Sequence, residues 1–240
     1  MEIDSSYGQV IHLPKRKVLP KPDAPVKRVP PALTDLLCPT LADPSATGFL
    51  LSGLPDTNRP ILWVQDHASR RENGYLYTAS LTAFGITRQI LQVHVSHPRD
   101  VLWAMEEGAA CAGLSAVIGE IHGAPAVLDF TATKRLAMRA DASGVPVYLI
   151  RSGDPGVLSA ARERWRVTSL PSRPHPYDNR SPGAPEWDVD LFRARGRAPG
   201  RWIAQYDPDA ARAADRLCLV PRTHLGTMGA GDQPVPERSK

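Results

Sequence analysis

Short segments rich in apolar residues alternate with segments of helical periodicity along most of the chain. The short segments cover residues 61–65, 90–95, 115–119, 145–150 and 165–170, and each predicts a strand. The run at 61–65 is continuously apolar, which predicts a strand that is buried on both faces of a sheet. The remaining pattern predicts helices over 45–53, 75–84, 98–113, 131–143 and 158–164, and a short helical start at 31–37.

Helix-end signals support two of these helices in particular. Pro98 suits the first turn of one helix, and Gly113 is expected to end it. Thr131 is the predicted N-cap of the other, with Gly144 just past its end. The helix that begins at Pro98 presents one apolar face, formed by Val101, Leu102, Met105 and Ala109.

The order of these elements predicts an α/β fold. Strands that alternate with helices of about a dozen residues imply right-handed crossovers and a mainly parallel sheet flanked by helices. After a break at 171–185, two runs of alternating polarity at 187–194 and 201–206 predict a C-terminal antiparallel hairpin, and 217–220 predicts a final strand. The alternation places Trp187 on a buried face.

Composition sets the domain organisation. The chain has 240 residues and 24 prolines, many of them in the first 31 positions beside Lys15-Arg16-Lys17 and Lys27-Arg28. We expect a disordered basic arm at 1–31, one regular domain at 32–225 and a flexible tail at 226–240.

The sequence also predicts the location of the protein. Its three cysteines lack metal or redox spacing, and it has no secretory or membrane-spanning run. Both observations predict a cytoplasmic protein.

The segment that would hold a nucleotide phosphate lacks the required residues. Parallel sheets bind phosphates through a glycine-rich loop with a lysine, G-x-x-x-x-G-K-[ST]. Residues 41–49 contain no lysine, and Asp43 would repel a phosphate. We therefore predict no nucleotide cofactor and no catalytic activity. Neither a nucleophilic serine motif nor a set of metal ligands is evident in the sequence.

Several segments together resemble a known family. Residues 61–66 are similar to the second core strand of RecA-type proteins. Residues 100–108, 116–120, 159–167 with 171–172, and 183–187 resemble, in this order, the inducible mutagenesis protein A (ImuA) family. The resemblance covers roughly 32–210 and implies a RecA-like sheet. It also implies contact with an inactive Y-family polymerase homologue (ImuB) and with RecA, and indirect contact with an error-prone replicative-type polymerase.

The resemblance also places the remnants of an ATPase site. The residue that activates water in active RecA-type enzymes falls near Asp66. The magnesium-linked aspartate falls at Gly119, with Glu120 beside it. Asp66 is then interpreted as a cap at the end of its strand, or as a polar loop residue.

Two basic groups are candidate contacts for nucleic acid or a partner. The break at 171–185 carries Arg173, Tyr177 and Arg180, where cations beside an aromatic ring could hold a single strand. The densest basic cluster lies in the predicted hairpin and comprises Arg193, Arg195, Arg197 and Arg201. Solvated surface loops are the competing interpretation for both groups.

Three other functions remain open at this stage. The cell-division inhibitor SulA also resembles this RecA-like group, so a division inhibitor is one alternative. A divergent RecA-like ATPase with an unrecognised phosphate site is the second. A plain single-stranded DNA binder is the third, and it would bind in a salt-sensitive manner.

Overall fold

The computed structural model describes residues 32–39, 42–153, 156–178, 180–210 and 212–222. The predicted arm at 1–31 and tail at 226–240 lie outside the described residues and stay predictions. The strands are β1 Leu33–Cys38, β2 Ile61–Gln65, β3 Ile90–His94, β4 Ala116–His122, β5 Val147–Ser152, β6 Glu163–Leu170, β7 Glu186–Ala194, β8 Gly200–Tyr206 and β9 Leu217–Pro221. The α-helices are α1 Ser45–Gly53, α2 His67–Asn73, α3 Pro98–Ala109 and α4 Phe130–Ser143, and two short 3₁₀ helices cover Thr78–Phe84 and Ala213–Asp215.

All nine of these strands form one sheet in the order β3-β2-β4-β5-β1-β6-β7-β8-β9. Neighbouring strands from β3 to β6 pair in parallel, and those from β6 to β9 pair antiparallel. The prediction of an α/β fold with a mainly parallel sheet and a C-terminal antiparallel hairpin is confirmed. No helix within the described ranges is long and apolar enough to cross a bilayer.

Each face of the sheet carries its own apolar core. Successive strand residues point to opposite faces, so neighbouring Trp63 and Val64 enter different cores. One core packs under α1 and includes Phe49 and Trp187, whereas the other lies under α3 and α4. Trp187 is 4% exposed, which confirms its predicted burial.

Two predicted helices are wrong. Residues 31–37 do not begin a helix, because Leu33–Cys38 is strand β1, between β5 and β6. Residues 158–164 contain no helix within the described chain: strand β6 begins at Glu163 and pairs with β1. Short apolar segments fit both periodicities, and only pairing with distant strands decided between them.

Three helix ends differ from the sequence prediction. The segment predicted as a helix at 75–84 is a 3₁₀ helix from Thr78, which ends before Gly85 in a left-handed conformation as expected. α3 ends at Ala109, before Gly113. The N-cap of α4 is Asp129 instead of Thr131, because the Asp129 Oδ1 accepts a 2.7 Å hydrogen bond from the Ala132 amide.

Candidate functional site

A cavity of about 430 Å³ lies at the carboxyl ends of the parallel strands, beside the first turns of α1. Ligands of open parallel sheets bind at this edge. The cavity wall comprises Ala42, Asp43, Pro44, Thr47, Gly48, Leu51, Gln65, Asn73, Gly74, Tyr75, Leu76, Tyr77, Ser80, Phe84, Glu120, Ile150, Ser152, Ser169, Pro185 and Trp187.

The Asp43 carboxylate is bound to backbone amides at the entrance of α1. Its Oδ1 accepts from the Ser45 amide at 2.9 Å and from the Ser169 hydroxyl at 2.7 Å, and its Oδ2 accepts from the Ser169 amide at 3.1 Å. Partial burial opposes ionisation, but these hydrogen bonds prevail and lower the pKa of Asp43. A negative charge from the chain itself therefore occupies the beginning of this helix.

Glu120 is a buried carboxyl group in the wall of the same cavity. It accepts hydrogen bonds from Trp63 Nε1 at 2.7 Å and from Gln65 Nε2 at 3.1 Å. Burial raises the pKa of Glu120 to about 7, and hydrogen bonds from Gln65, Trp63 and Asn73 offset only part of that effect. The group therefore changes its charge near neutral pH.

Asp66 caps helix α2. Its Oδ1 accepts a 2.7 Å hydrogen bond from the Ser69 amide, and the Ser69 hydroxyl donates to the Glu120 carbonyl at 3.0 Å. The second carboxylate oxygen of Asp66 and the side-chain oxygen of Gln65 are both buried without a hydrogen-bond partner among the described residues. Gln65, which donates to Glu120 and lines the cavity, therefore keeps one buried acceptor without a donor.

Gly119 has a packing role. A Cβ at this position would lie 2.1 Å from the sulfur of Met105, which is fully buried on α3. The missing side chain allows α3 to sit directly on strand β4. The close approach of helix and strand accounts for a glycine here.

The loop at 171–185 presents only part of its predicted basic group to solvent. A guanidinium nitrogen of Arg173 donates to the Tyr206 carbonyl, and Arg173 Nε lies 3.6 Å from a Glu186 oxygen. Arg180 is exposed, and Tyr177 is 67% exposed. Arg173 therefore anchors the loop, and the other two residues face water.

The hairpin arginines also divide into two kinds. Arg197 makes a bidentate pair with Glu163 at 2.7 and 2.6 Å and lies over the Trp165 ring. Arg201 lies 3.5 Å from Asp190. Arg193 and Arg195 are exposed, and within the described chain their side chains have no hydrogen-bond or ion-pair partner. These two are the free cations of the cluster.

The two predicted basic groups lie at opposite ends of strand β7. The 171–185 loop leads into Glu186, and the hairpin tip follows Ala194. Nine residues of extended chain separate them by about 30 Å. The structure therefore does not combine them into one surface, and only the loop lies near the cavity.

The chain was compared with known proteins. It is 32% identical over 168 residues to Protein ImuA of Caulobacter vibrioides strain NA1000 / CB15N, a match that covers 65% of this chain and 64% of the relative. Protein ImuA of strain ATCC 19089 / CIP 103742 / CB 15 matches with the same values. No family model matches the sequence. The chain is similar to these ImuA proteins over that part of its length.

This similarity confirms the resemblance to ImuA proteins found in the sequence. The chain spans about 64% of the length of the ImuA proteins that it matches.

Sequence reasoning about this chain missed the contacts that shape the cavity. It identified Asp43 as repulsive to phosphate but not its bonds to Ser169, which is distant in sequence. It also missed the roles of Trp63 and Gln65 beside Glu120. A buried indole N–H usually has an acceptor, which was the one available signal.

Proposed function

We propose that this chain is a non-catalytic accessory protein of damage-induced translesion DNA synthesis. Its similarity to Protein ImuA carries the proposal. The family resemblance supports binding to an inactive Y-family polymerase homologue (ImuB) and to RecA, with an error-prone polymerase reached through them. The chain would then act as a RecA-like scaffold for other macromolecules.

The cavity chemistry supports the absence of nucleotide hydrolysis. Asp43 occupies the amide of Ser45 at the beginning of α1, where a phosphate would need free donors. Among the described residues that line the cavity, none is Lys, Arg or His, whereas Asp43 and Glu120 are acidic. A triphosphate placed there would meet like charge without a counter-ion.

Calorimetry with ATP and magnesium tests this part of the proposal. We expect no binding heat at micromolar to millimolar nucleotide and no phosphate release. Micromolar affinity with magnesium-dependent turnover, abolished by Asp66→Asn, would contradict the proposal and favour the divergent ATPase.

Co-purification tests the accessory role. The chain is co-expressed with the polymerase homologue of the same organism, with RecA, or with the tubulin-like division protein, and each mixture is separated by size-exclusion chromatography. We expect a stable complex with the polymerase homologue and with RecA, and no filamentous cells on overexpression. A complex with the division protein alone, accompanied by filamentation, would instead establish the SulA-like alternative.

We further propose that Arg193 and Arg195 form the contact with single-stranded DNA or an acidic partner. Both side chains are exposed and unpaired in the described structure, unlike Arg197 and Arg201. The patch formed by Tyr177 and Arg180 is a separate, smaller candidate because it lies at the other end of β7.

A further inference from the structure

The cavity at the carboxyl ends of the strands has the electrostatic character of a cation site. Its described wall contains two carboxyl groups and no cationic side chain. Asp43 already accepts three hydrogen bonds from Ser45 and Ser169. Glu120 accepts from the neutral donors Trp63, Gln65 and Asn73, so no cationic side chain in this wall neutralises it when it ionises.

An acceptor without a donor lies directly beside Glu120. Gln65 is 2% exposed, and its side-chain nitrogen donates to the Gly74 carbonyl at 3.2 Å and to Glu120 Oε2 at 3.1 Å. Its Oε1 has no partner in the described structure. A buried acceptor without a partner costs about 1–3 kcal/mol in general. A ligand that carries several N–H groups would supply the missing donor and the missing charge together.

The rest of the wall suits an apolar stem with a cationic head. Leu51, Leu76 and Ile150 line the cavity. Tyr77 belongs to the same wall and is 72% exposed, so its ring is available to a group that enters from solvent. Tyr75 also lines the wall, but the Arg70 guanidinium already lies 6.0 Å from the centre of its ring. Aromatic faces attract ammonium and guanidinium groups.

We infer that this cavity binds an ammonium or guanidinium group on an apolar stem, with Glu120 as its counter-ion and Gln65 Oε1 as a second acceptor. The inference goes beyond the accessory role and rests on the proposed absence of nucleotide from the cavity. The cation can come from a free amine or from a lysine or arginine side chain of a protein partner. A metal ion is a poorer fit, because the described residues contain no group of three or more His, Cys, Asp or Glu that could hold one.

Calorimetry with matched probes tests the inference on the full chain at pH 8. N-acetyl-arginine amide is compared with N-acetyl-citrulline amide, which has the same shape without the charge. We expect the arginine probe to bind at least about tenfold more tightly, as one charged hydrogen bond implies. Glu120→Gln should remove this preference, whereas Glu107→Gln, an exposed change on α3, should leave it intact. Equal binding of the two probes, or an unchanged preference in Glu120→Gln, overturns the inference.

Binding of further probes distinguishes the sources of the cation. It also distinguishes failure of this inference from failure of the proposed function. n-Butylammonium that binds as tightly as the arginine probe supports a free amine. Tighter binding of the acetylated tripeptide amide Ala-Arg-Ala supports a protein segment. If neither cation nor magnesium-ATP binds, only this inference fails and the accessory role stands. If magnesium-ATP binds and the cations do not, both fail.

Discussion

At the scale of single residues, two buried carboxyl groups have opposite surroundings. Asp35, on the central strand β1, accepts hydrogen bonds from Arg151 at 3.0 Å and from Arg164 at 3.1 Å, one from each neighbouring strand. Glu120 has only neutral donors. The first group joins three strands, whereas the second stays available for proton exchange near neutral pH.

Replacing Asp35 should destabilise the fold strongly. Asp35→Asn leaves the buried Arg151 and Arg164 without their shared counter-ion, and breaking such a pair costs about 3–5 kcal/mol. Urea denaturation measures the free energy of unfolding. Asp141→Asn, which breaks an exposed pair with Arg162, should cost less than about 1 kcal/mol. Similar losses for both variants would show that the Asp35 cluster is not specially important.

Glu120 should make the stability depend on pH. Because burial raises its folded-state pKa from 4.5 to about 7, the folded state holds this proton more tightly than the unfolded state. Its contribution to the free energy of unfolding is therefore full below about pH 4.5 and is lost as pH rises to about 7. The loss can reach about 3 kcal/mol.

Glu120→Gln should remove this part of the pH dependence. Urea denaturation at pH 5, 6, 7 and 8 gives, for each protein, the slope of the free energy of unfolding against pH. Glu107→Gln should keep the wild-type slope, because Glu107 is exposed on α3. An unaltered slope in Glu120→Gln would mean that Glu120 ionises as easily in the folded as in the unfolded chain.

At the scale of elements, close packing of helix on sheet fixes particular small residues. α3 contacts β4 through Met105, whose sulfur lies where a Gly119 Cβ would be. α2 begins at the Asp66 cap and carries Ser69, which bonds to β4. Asp66 and Gly119, the positions that the family resemblance relates to an ATPase site, thus serve here to hold helices against strands.

Gly119→Ala should test the contact between α3 and β4. The added methyl group would meet the Met105 sulfur, and overpacking of a core costs about 1–3 kcal/mol. The double variant with Met105→Ala should show a coupling that recovers part of the loss caused by Gly119→Ala. Gly113→Ala is the matched control, because its Cβ would make only an ordinary contact at 3.6 Å. Thermal and urea unfolding measure the wild type, the single variants Gly119→Ala and Met105→Ala, the double variant and Gly113→Ala, and additive losses would argue against direct contact.

At the scale of the whole molecule, the free arginines and the acidic cavity lie at opposite ends of the strands. The acidic cavity lies at the carboxyl ends of the parallel strands. The free arginines of the hairpin, Arg193 and Arg195, flank Ala194, which pairs with Glu163 at the beginning of β6. This separation permits two independent contacts, one with a cationic group and one with an anionic partner.

Charge reversal at the hairpin tip should weaken binding to single-stranded DNA. The Arg193→Glu/Arg195→Glu variant loses two cations, so the slope of log affinity against log salt should fall in magnitude by about 1.4. Fluorescence anisotropy with a labelled 30-nucleotide oligothymidine, at several salt concentrations, measures this slope. Arg180→Glu, at the far end of β7, should have a smaller effect. If the double variant binds as the wild type does, the tip is not the DNA contact.

The local pattern of apolar and polar residues was sufficient to predict much of this fold. The segments at 61–65, 90–95 and 187–206 were predicted correctly because their apolar runs and turn residues agree with their final environment. Strand β1 was missed since its six residues carry Asp35 and Thr34 among apolar neighbours. Two arginines on adjacent strands, Arg151 and Arg164, and a hydrogen bond from Ser159 make a buried aspartate acceptable there.

The amino-acid sequence by itself determined the alternation of strands and helices, the absence of a lysine from residues 41–49 and the resemblance to ImuA proteins. Each depends on neighbouring residues or on their order along the chain. The tertiary structure alone decided which carboxyl groups are buried, that Asp43 bonds to Ser169, and that the basic groups lie far apart. These properties arise from contacts between segments that are distant in sequence, and desolvation and pairing at such contacts depend on the folded arrangement.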